Sequence, residues 1–127
     1  MEPAESQQIE IIAEKDYILV IPPDGLDFWE IFLALGRLIP MREFQEKNDI
    51  WVFREGYIDF VYADLLRLKE FVKKHYPANA KGEKTAIVAG TNTQLILAQS
   101  YANIGRDLPR RIKVFTDFKS AEDWIRK

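Results

Sequence analysis

The chain has no cysteine and only one histidine, His75. Without cysteine, disulfides, thiol catalysis and cysteine-ligated zinc or iron–sulfur sites are excluded. A single histidine also excludes sites with several histidine ligands, and it leaves Ser100 and Ser120 without an obvious base to activate their hydroxyl groups. We therefore predict no catalytic residues, no metal site and no cofactor. His75 lies near the end of a predicted helix, where a cation complements the helix dipole, so we interpret it as a structural surface residue.

Neither sign of charge dominates the composition, and long hydrophobic runs are missing. Eighteen basic and twenty acidic residues give a net charge of -2, without the basic excess typical of nucleic-acid-binding domains. The longest apolar-rich stretch, residues 28–40, is interrupted by Glu30, Gly36 and Arg37, and it falls short of the roughly 18 apolar residues that span a bilayer. The polar, acidic start does not resemble a signal peptide. We predict a cytoplasmic protein with no nucleic-acid partner and no transmembrane segment.

The composition is that of a folded domain with a sizeable core. The 127 residues are 47% hydrophobic, 13% aromatic and 30% charged, which is ordinary for a globular protein. A chain of this length fits one domain and buries enough surface to fold without disulfides. We predict a single domain over residues 1–127, with residues 1–7 as a candidate disordered tail.

Hydrophobic periodicity predicts strands and helices in the order ββαβαβαβα. The predicted strands are residues 8–13, 17–21, 50–53, 85–89 and 112–116. The predicted helices are residues 28–39, 62–76 and 92–104, with a last helix from residue 118 onward. After an initial hairpin, each strand is followed by a helix, which favours an α/β fold. We expect a mixed, mostly parallel sheet of about five strands flanked by four helices, with an extended segment over residues 41–47.

Capping residues mark several of these boundaries. Asp27 with Glu30 and Thr91 with Gln94 have the spacing of a capping box at a helix start. Gly105 is a candidate C-cap.

Several runs resemble the bacterial SpoIIAA-like family, which shares its fold with STAS and SEC14-like (CRAL-TRIO) domains. They are Asp49-Ile-Trp-Val-Phe-Arg-Glu, Tyr62-Ala-Asp-Leu-Leu-Arg-Leu, Lys84-Thr-Ala-Ile-Val-Ala and Lys113-Val-Phe-Thr-Asp-Phe, followed by Ala121 and Trp124. The resemblance runs from about residue 9 onward. It implies a mixed sheet of about five strands with four helices, and no established enzymatic activity.

The best-known STAS proteins are anti-sigma antagonists that are switched by phosphorylation at a helix start, in a motif reading roughly Asp-Ser-Ser-Gly-Leu. The matching stretch here is Phe60-Val-Tyr-Ala-Asp-Leu, and no serine or threonine occurs between Ser6 and Thr85. A phosphate would add about -1.5 to -2 charge beside the helix dipole, but no Ser or Thr is present to carry it. We predict that this switch is absent, and we interpret Asp64 as an ordinary acidic residue of a first helical turn.

The loop Gly90-Thr91-Asn92-Thr93 is a candidate ligand site. It joins the carboxyl end of a predicted parallel strand to a helix start, where open α/β sheets bind ligands and helix amides attract anions. Alternatively, Thr91 and Gln94 only cap the helix and Gly90 only serves the turn. The loop is not a P-loop, since the lysine and the glycine spacing are absent. The capping interpretation is favoured.

A second candidate is a basic cluster near Pro109. It consists of Arg106, Arg110, Arg111 and Lys113. Clustered arginines can hold a phosphate or a lipid headgroup. We favour a solvated loop instead, with Asp107 offsetting part of the charge.

The first helix has apolar residues on more than its core-facing side. Trp29 and Leu33 lie one turn apart, away from the stripe that faces the predicted core. Tyr57, Phe60 and Tyr62 could extend this apolar surface as a partner interface or a pocket. Alternatively, residues 41–47 fold over Trp29 and cover it.

Three functional hypotheses follow. The preferred one is a non-enzymatic SpoIIAA-like binding or interaction module, homodimeric through the first helix and the loop Tyr57–Tyr62. The second is a carrier of a small apolar ligand or lipid of the SEC14-like type, with an apolar cavity between the first helix and the sheet that is reached past Trp29 or Phe60. The third is an uncharacterised hydrolase that uses residues 91–93 with a carboxylate such as Asp59.

Overall fold

A computed structural model of the chain describes residues 9–23, 28–54 and 60–127. Within these ranges, five strands form one sheet: β1 (Glu10–Ala13), β2 (Tyr17–Ile21), β3 (Asn48–Val52), β4 (Lys84–Val88) and β5 (Arg111–Phe115). The helices of the same ranges are α1 (Phe28–Leu38), α2 (Arg42–Glu46), α3 (Tyr62–His75), α4 (Asn92–Ile104) and α5 (Phe118–Ile125).

The strands lie in the sheet in the order in which they occur along the chain. β1 pairs antiparallel with β2, and every later pair is parallel. In the register of the parallel part, Asp49 of β3 lies opposite Thr85 of β4, and Thr85 lies opposite Ile112 of β5. Side chains opposite each other share one face of a sheet, so these three are neighbours on the same face.

The two faces of the sheet are covered unequally. Successive parallel strands without a reversal of order place their right-handed crossover helices on the same face. Accordingly, Ile18, Val20 and Trp51 pack in one cluster with residues from α1 and α3. The opposite face is covered by α5, whose Ala121 and Ile125 pack in a second cluster with Ile50 and Ala86.

The predicted α/β architecture is confirmed, with two corrections. Residues 41–47 were expected to be extended, but Arg42–Glu46 forms α2, so five helices rather than four accompany the sheet in the described ranges. This helix is too short to show a hydrophobic period, and Phe44 is its one buried residue. β3 begins at Asn48, two residues before the predicted strand, because polar Asn48 and Asp49 belong to the parallel ladder.

Local boundary predictions are confirmed at several points. Thr91 and Asp117 each accept a backbone N–H at the start of a helix, from Gln94 and Ser120 respectively. Gly105 ends α4 as its C-cap, with its N–H bonded to the Tyr101 carbonyl. The predicted cap Asp27 and the tail 1–7 lie outside the described residues.

Candidate functional site

The Gly90–Thr93 loop lies at the carboxyl end of β4, as predicted. A Cβ on Gly90 would lie 2.9 Å from the Phe53 carbonyl oxygen, so glycine is needed where the chain after β3 passes close by. The Thr91 hydroxyl accepts the Gln94 N–H at 3.1 Å, while Asn92 and Thr93 are exposed. These contacts support the capping interpretation, and ligand binding by the loop stays a prediction.

Gln94 connects the backbone segments at this edge of the sheet. The sequence predicted only a capping role for this residue. Its side chain is buried, accepts the Gly90 N–H at 2.6 Å and donates to the Arg54 carbonyl at 2.5 Å. Gln94 therefore fixes the ends of β3 and β4 to the start of α4.

At the opposite, amino edge of the parallel strands lies a buried ion pair. The Arg110 guanidinium donates to Asp49 Oδ1 at 2.7 Å, and the two residues are 7% and 2% exposed. Asp49 also accepts the Thr85 hydroxyl at 2.6 Å and the Trp51 indole N–H at 3.0 Å. Buried charges need this full set of partners, because an unpaired charge in the interior is strongly destabilising.

Arg110 joins four parts of the chain. Its Nη2 donates to the carbonyls of Phe44 (2.6 Å) and Lys47 (2.9 Å), and its Nε donates to the Tyr76 hydroxyl. The guanidinium carbon also lies close to the rings of Phe44 and Tyr76, at 4.9 and 4.5 Å from their centroids. A Cβ on Gly82 would clash with Arg110 and with the Lys47 carbonyl, so only glycine fits there.

The prediction of a solvated basic loop is therefore wrong for Arg110, although Arg106, Arg111 and Lys113 are exposed. Spacing could not pair Arg110 with Asp49, which lies 61 positions away. The available indication was Asp49 itself, a carboxylate beside an apolar run, since charged residues are almost never fully buried unless paired.

A cavity of about 120 Å³ lies on the sheet face that α1, α3 and α4 cover. Its walls are mostly apolar and include Ile31, Leu35, Trp51, Leu68, Ala98 and Phe60. Gln94 lines it at the carboxyl edge of the sheet, and Arg110 lines it at the amino edge. The hypothesis of a ligand carrier predicted a cavity between the first helix and the sheet, and Phe60 does line this one, but Trp29 is not among its described lining residues.

Tyr101 of α4 supplies the one side-chain hydroxyl among the described lining residues that makes no hydrogen bond, since those of Tyr76 and Thr85 are bonded. Burial raises the pKa of this hydroxyl well above its ordinary value, and the Asp49 charge raises it further. Every fully enclosed side-chain nitrogen or oxygen of the described residues has a partner. The Tyr101 hydroxyl must therefore contact open space, and we place that space in the cavity.

The predicted apolar surface of the first helix is exposed. Trp29 and Leu33 are 64% and 62% exposed, so the alternative in which residues 41–47 cover Trp29 is wrong. α2 directs its apolar side chain elsewhere, with Phe44 against Tyr76 and Arg110. Phe60 is half-buried beside Phe28, at 6.2 Å between ring centroids.

Neighbouring side chains extend this surface across to α3. Phe32 contacts the Trp29 ring edge-on, at 5.7 Å between centroids, and lines a groove together with Leu66. Tyr62, one turn before Leu66, is also exposed. We call Trp29, Phe32, Leu33, Tyr62 and Leu66 the α1–α3 patch. Tyr57, which was predicted to belong to the same surface, lies outside the described residues.

Two smaller predictions concern α3. Asp64 accepts the Val61 N–H at 3.0 Å and binds Arg67 at 3.1 Å, which supports its interpretation as an ordinary residue of a first helical turn. His75 is exposed and packs against Phe71, with 4.5 Å between ring centroids.

The described residues contain neither a cluster of metal ligands nor a membrane-spanning helix. In residues 9–23, 28–54 and 60–127, no three acidic or histidine side chains come together as a metal site would require. Over those residues, no helix has the length and apolar character to cross a bilayer.

Comparisons with known proteins identify the fold. No family model and no curated protein matches the chain. Among solved structures, the chain is similar to an uncharacterised protein of the DUF3478 family with a SpoIIAA-like fold, from Shewanella loihica PV-4. The two chains are 17% identical, the match covers 92% of this chain and 91% of the other, and the TM-score is 0.54. A likeness at this identity concerns the fold alone, and the chain has a SpoIIAA-like fold.

Proposed function

We propose that the chain is a single-domain, cytoplasmic interaction module without enzymatic activity, which pairs with a second copy of itself through the α1–α3 patch. The observation that carries this proposal is the exposure of Trp29 and Leu33 on a helix whose other side is buried. A helix that is apolar on nearly every side is typically buried on both sides.

The energetic gain from covering this patch is substantial. At about 25 cal/mol per Å², burial of the exposed part of Trp29 alone is worth about 3 kcal/mol per copy. Leu33 and Tyr62 on the same surface add to this. An aromatic anchor surrounded by smaller apolar contacts is the usual composition of an interface hot spot.

The rim of the patch favours a second copy as the partner. Arg67, Glu70 and Lys74 line the groove beside Leu66, so the rim carries both signs of charge. In a two-fold dimer the same surface meets itself, and Glu70 of one copy can then lie near Lys74 or Arg67 of the other.

Neither alternative function has comparable support. A hydrolase needs an activated nucleophile or a placed acid–base pair. None of the described contacts forms one, and the candidate carboxylate Asp59 lies outside the described residues. A lipid carrier needs a large pocket, and the cavity of about 120 Å³ is well below the roughly 300–1,000 Å³ of drug-sized ligand sites.

The test is the mass of the protein in solution, measured by light scattering or sedimentation equilibrium across the micromolar range. We expect a dimer for the natural chain and a monomer for the double variant Trp29→Ala and Leu33→Ser. The matched control is Ile96→Ser, because Ile96 is 64% exposed on α4 and outside the patch, so its dimer should persist. A natural chain that is monomeric at high micromolar concentration and unchanged in the double variant contradicts the proposal.

A further inference from the structure

We propose that the cavity between the sheet and helices α1, α3 and α4 binds a small, uncharged molecule of about one ring, which hydrogen-bonds to the Tyr101 hydroxyl. This site goes beyond the dimerisation surface, since neither Ala98 nor Tyr101, which line it, belongs to the α1–α3 patch. The size of the cavity, the charge balance of its lining and the Tyr101 hydroxyl support this proposal.

The size of the cavity limits the ligand to one ring. Its volume is about 120 Å³, and an engineered apolar cavity of about 150 Å³ in another protein accommodates benzene. Long acyl chains need a considerably larger pocket. The lining is apolar on the sides of α1, α3 and the sheet, through Ile31, Leu68 and Trp51.

The charges in the lining favour a neutral ligand. Asp49 and Arg110 both line the cavity, but each is the other's ion-pair partner at 2.7 Å. Arg110 also donates to two carbonyls and to Tyr76, and Asp49 accepts from Thr85 and Trp51. A charged ligand would lose its hydration without gaining a free counter-charge, which is costly in an apolar interior.

The Tyr101 hydroxyl provides the specific contact. It makes no hydrogen bond to the described residues, whereas the other polar side chains named above are already bonded. Buried polar groups normally have a hydrogen-bond partner, and a tyrosine hydroxyl can both donate and accept. A ligand with one hydroxyl or carbonyl group on an apolar body would satisfy it.

The experiment is an NMR titration of the full ¹⁵N-labelled chain with two probes, phenol and toluene. We expect saturable shifts for both probes, centred on residues that line the cavity. Tyr101→Phe removes only the hydroxyl, so it should weaken phenol binding by about three- to tenfold and leave toluene binding nearly unchanged. Ala98→Leu fills the cavity from α4, so it should abolish binding of both probes.

The control is Ala63→Leu, because Ala63 is exposed on α3 and does not line the cavity, so it should bind both probes like the natural chain. The proposal is overturned if neither probe saturates, if a folded Ala98→Leu variant binds normally, or if Tyr101→Phe weakens both probes equally. If Ala98→Leu fails to fold, the comparison of phenol and toluene binding in Tyr101→Phe still tests the proposal. If oleate displaces phenol, the cavity accepts an acyl chain, and the proposal that it holds only a molecule of about one ring is overturned.

Discussion

Substitution of Arg110 by methionine tests whether the buried ion pair holds the sheet to the helices. The change keeps most of the apolar stem but removes the guanidinium, which leaves Asp49 buried at 2% exposure without its counter-charge. Loss of one partner of a buried pair costs about 3–5 kcal/mol. Because a chain of 127 residues typically has a free energy of unfolding of about 6–19 kcal/mol, this is a large fraction of the total.

A double-mutant cycle separates the charge interaction from packing. Asp49→Asn removes the charge and keeps an oxygen that can accept from Thr85. If the pair interacts as its 2.7 Å contact indicates, the double variant should be more stable than the sum of the single losses predicts, by at least about 1 kcal/mol. The same coupling should persist in 1 M salt, since buried pairs are screened much less than exposed ones.

The assay is urea unfolding followed by tryptophan fluorescence, with the slopes compared so that only changes in midpoint are read as stability. The control is Arg42→Ala, since the Arg42 side chain is 89% exposed in its pair with Glu46, and a loss within about 0.5 kcal/mol is expected. If Arg110→Met costs less than about 1 kcal/mol, or if the two single losses simply add, the reasoning is refuted.

Three further predictions follow from other contacts. Gly82→Ala should lower the free energy of unfolding by about 1–3 kcal/mol, because its methyl group would clash with Arg110; a thermal melt checks this, and an unchanged midpoint contradicts it. Ala98→Leu should raise the free energy of unfolding by up to about 2 kcal/mol by filling part of the cavity, measured by urea unfolding; a lower urea midpoint would contradict this prediction. Burial and the 2.8 Å hydrogen bond to Glu122 raise the pKa of Tyr17 from 10.0 to about 12. The folded state then holds this proton more tightly, so the stabilisation is complete below pH 10 and is lost as the pH rises through 12; Tyr17→Phe should reduce the fall in urea midpoint between pH 9 and pH 11.

The architecture was predictable because the parallel strands are short and strongly apolar. Residues 50–53 and 85–89 show this directly, and the helix between them has a clear hydrophobic stripe. The exposed apolar surface of α1 was also predictable, because Trp29 and Leu33 fall outside the hydrophobic stripe that faces the core. α2 was not, because a five-residue helix with one buried side chain gives no period.

The buried ion pair of Asp49 and Arg110 could not be predicted from hydrophobic periodicity. Local patterns report which residues share a face of one element, but Asp49 and Arg110 meet only because β3 and β5 lie on either side of β4. That strand order is set by the crossover connections. The positions of charged residues along the chain do not reveal it. Gly82 illustrates the same point, since its need for glycine arises from the Arg110 side chain that packs against it.

The persistence of a cavity in this core has a structural reason. Arg110 joins the start of β5 to β3, α2 and the end of α3 at the amino edge of the parallel strands. Gln94 joins β3, β4 and α4 at the carboxyl edge. Arg110 and Gln94 both line the cavity. The helices are therefore fixed at each end of the cavity and cannot move toward the sheet without breaking hydrogen bonds. Arg110→Met should therefore weaken phenol binding as well as stability, because the helices are then free to move toward the sheet, whereas Trp29→Ala should leave phenol binding unchanged.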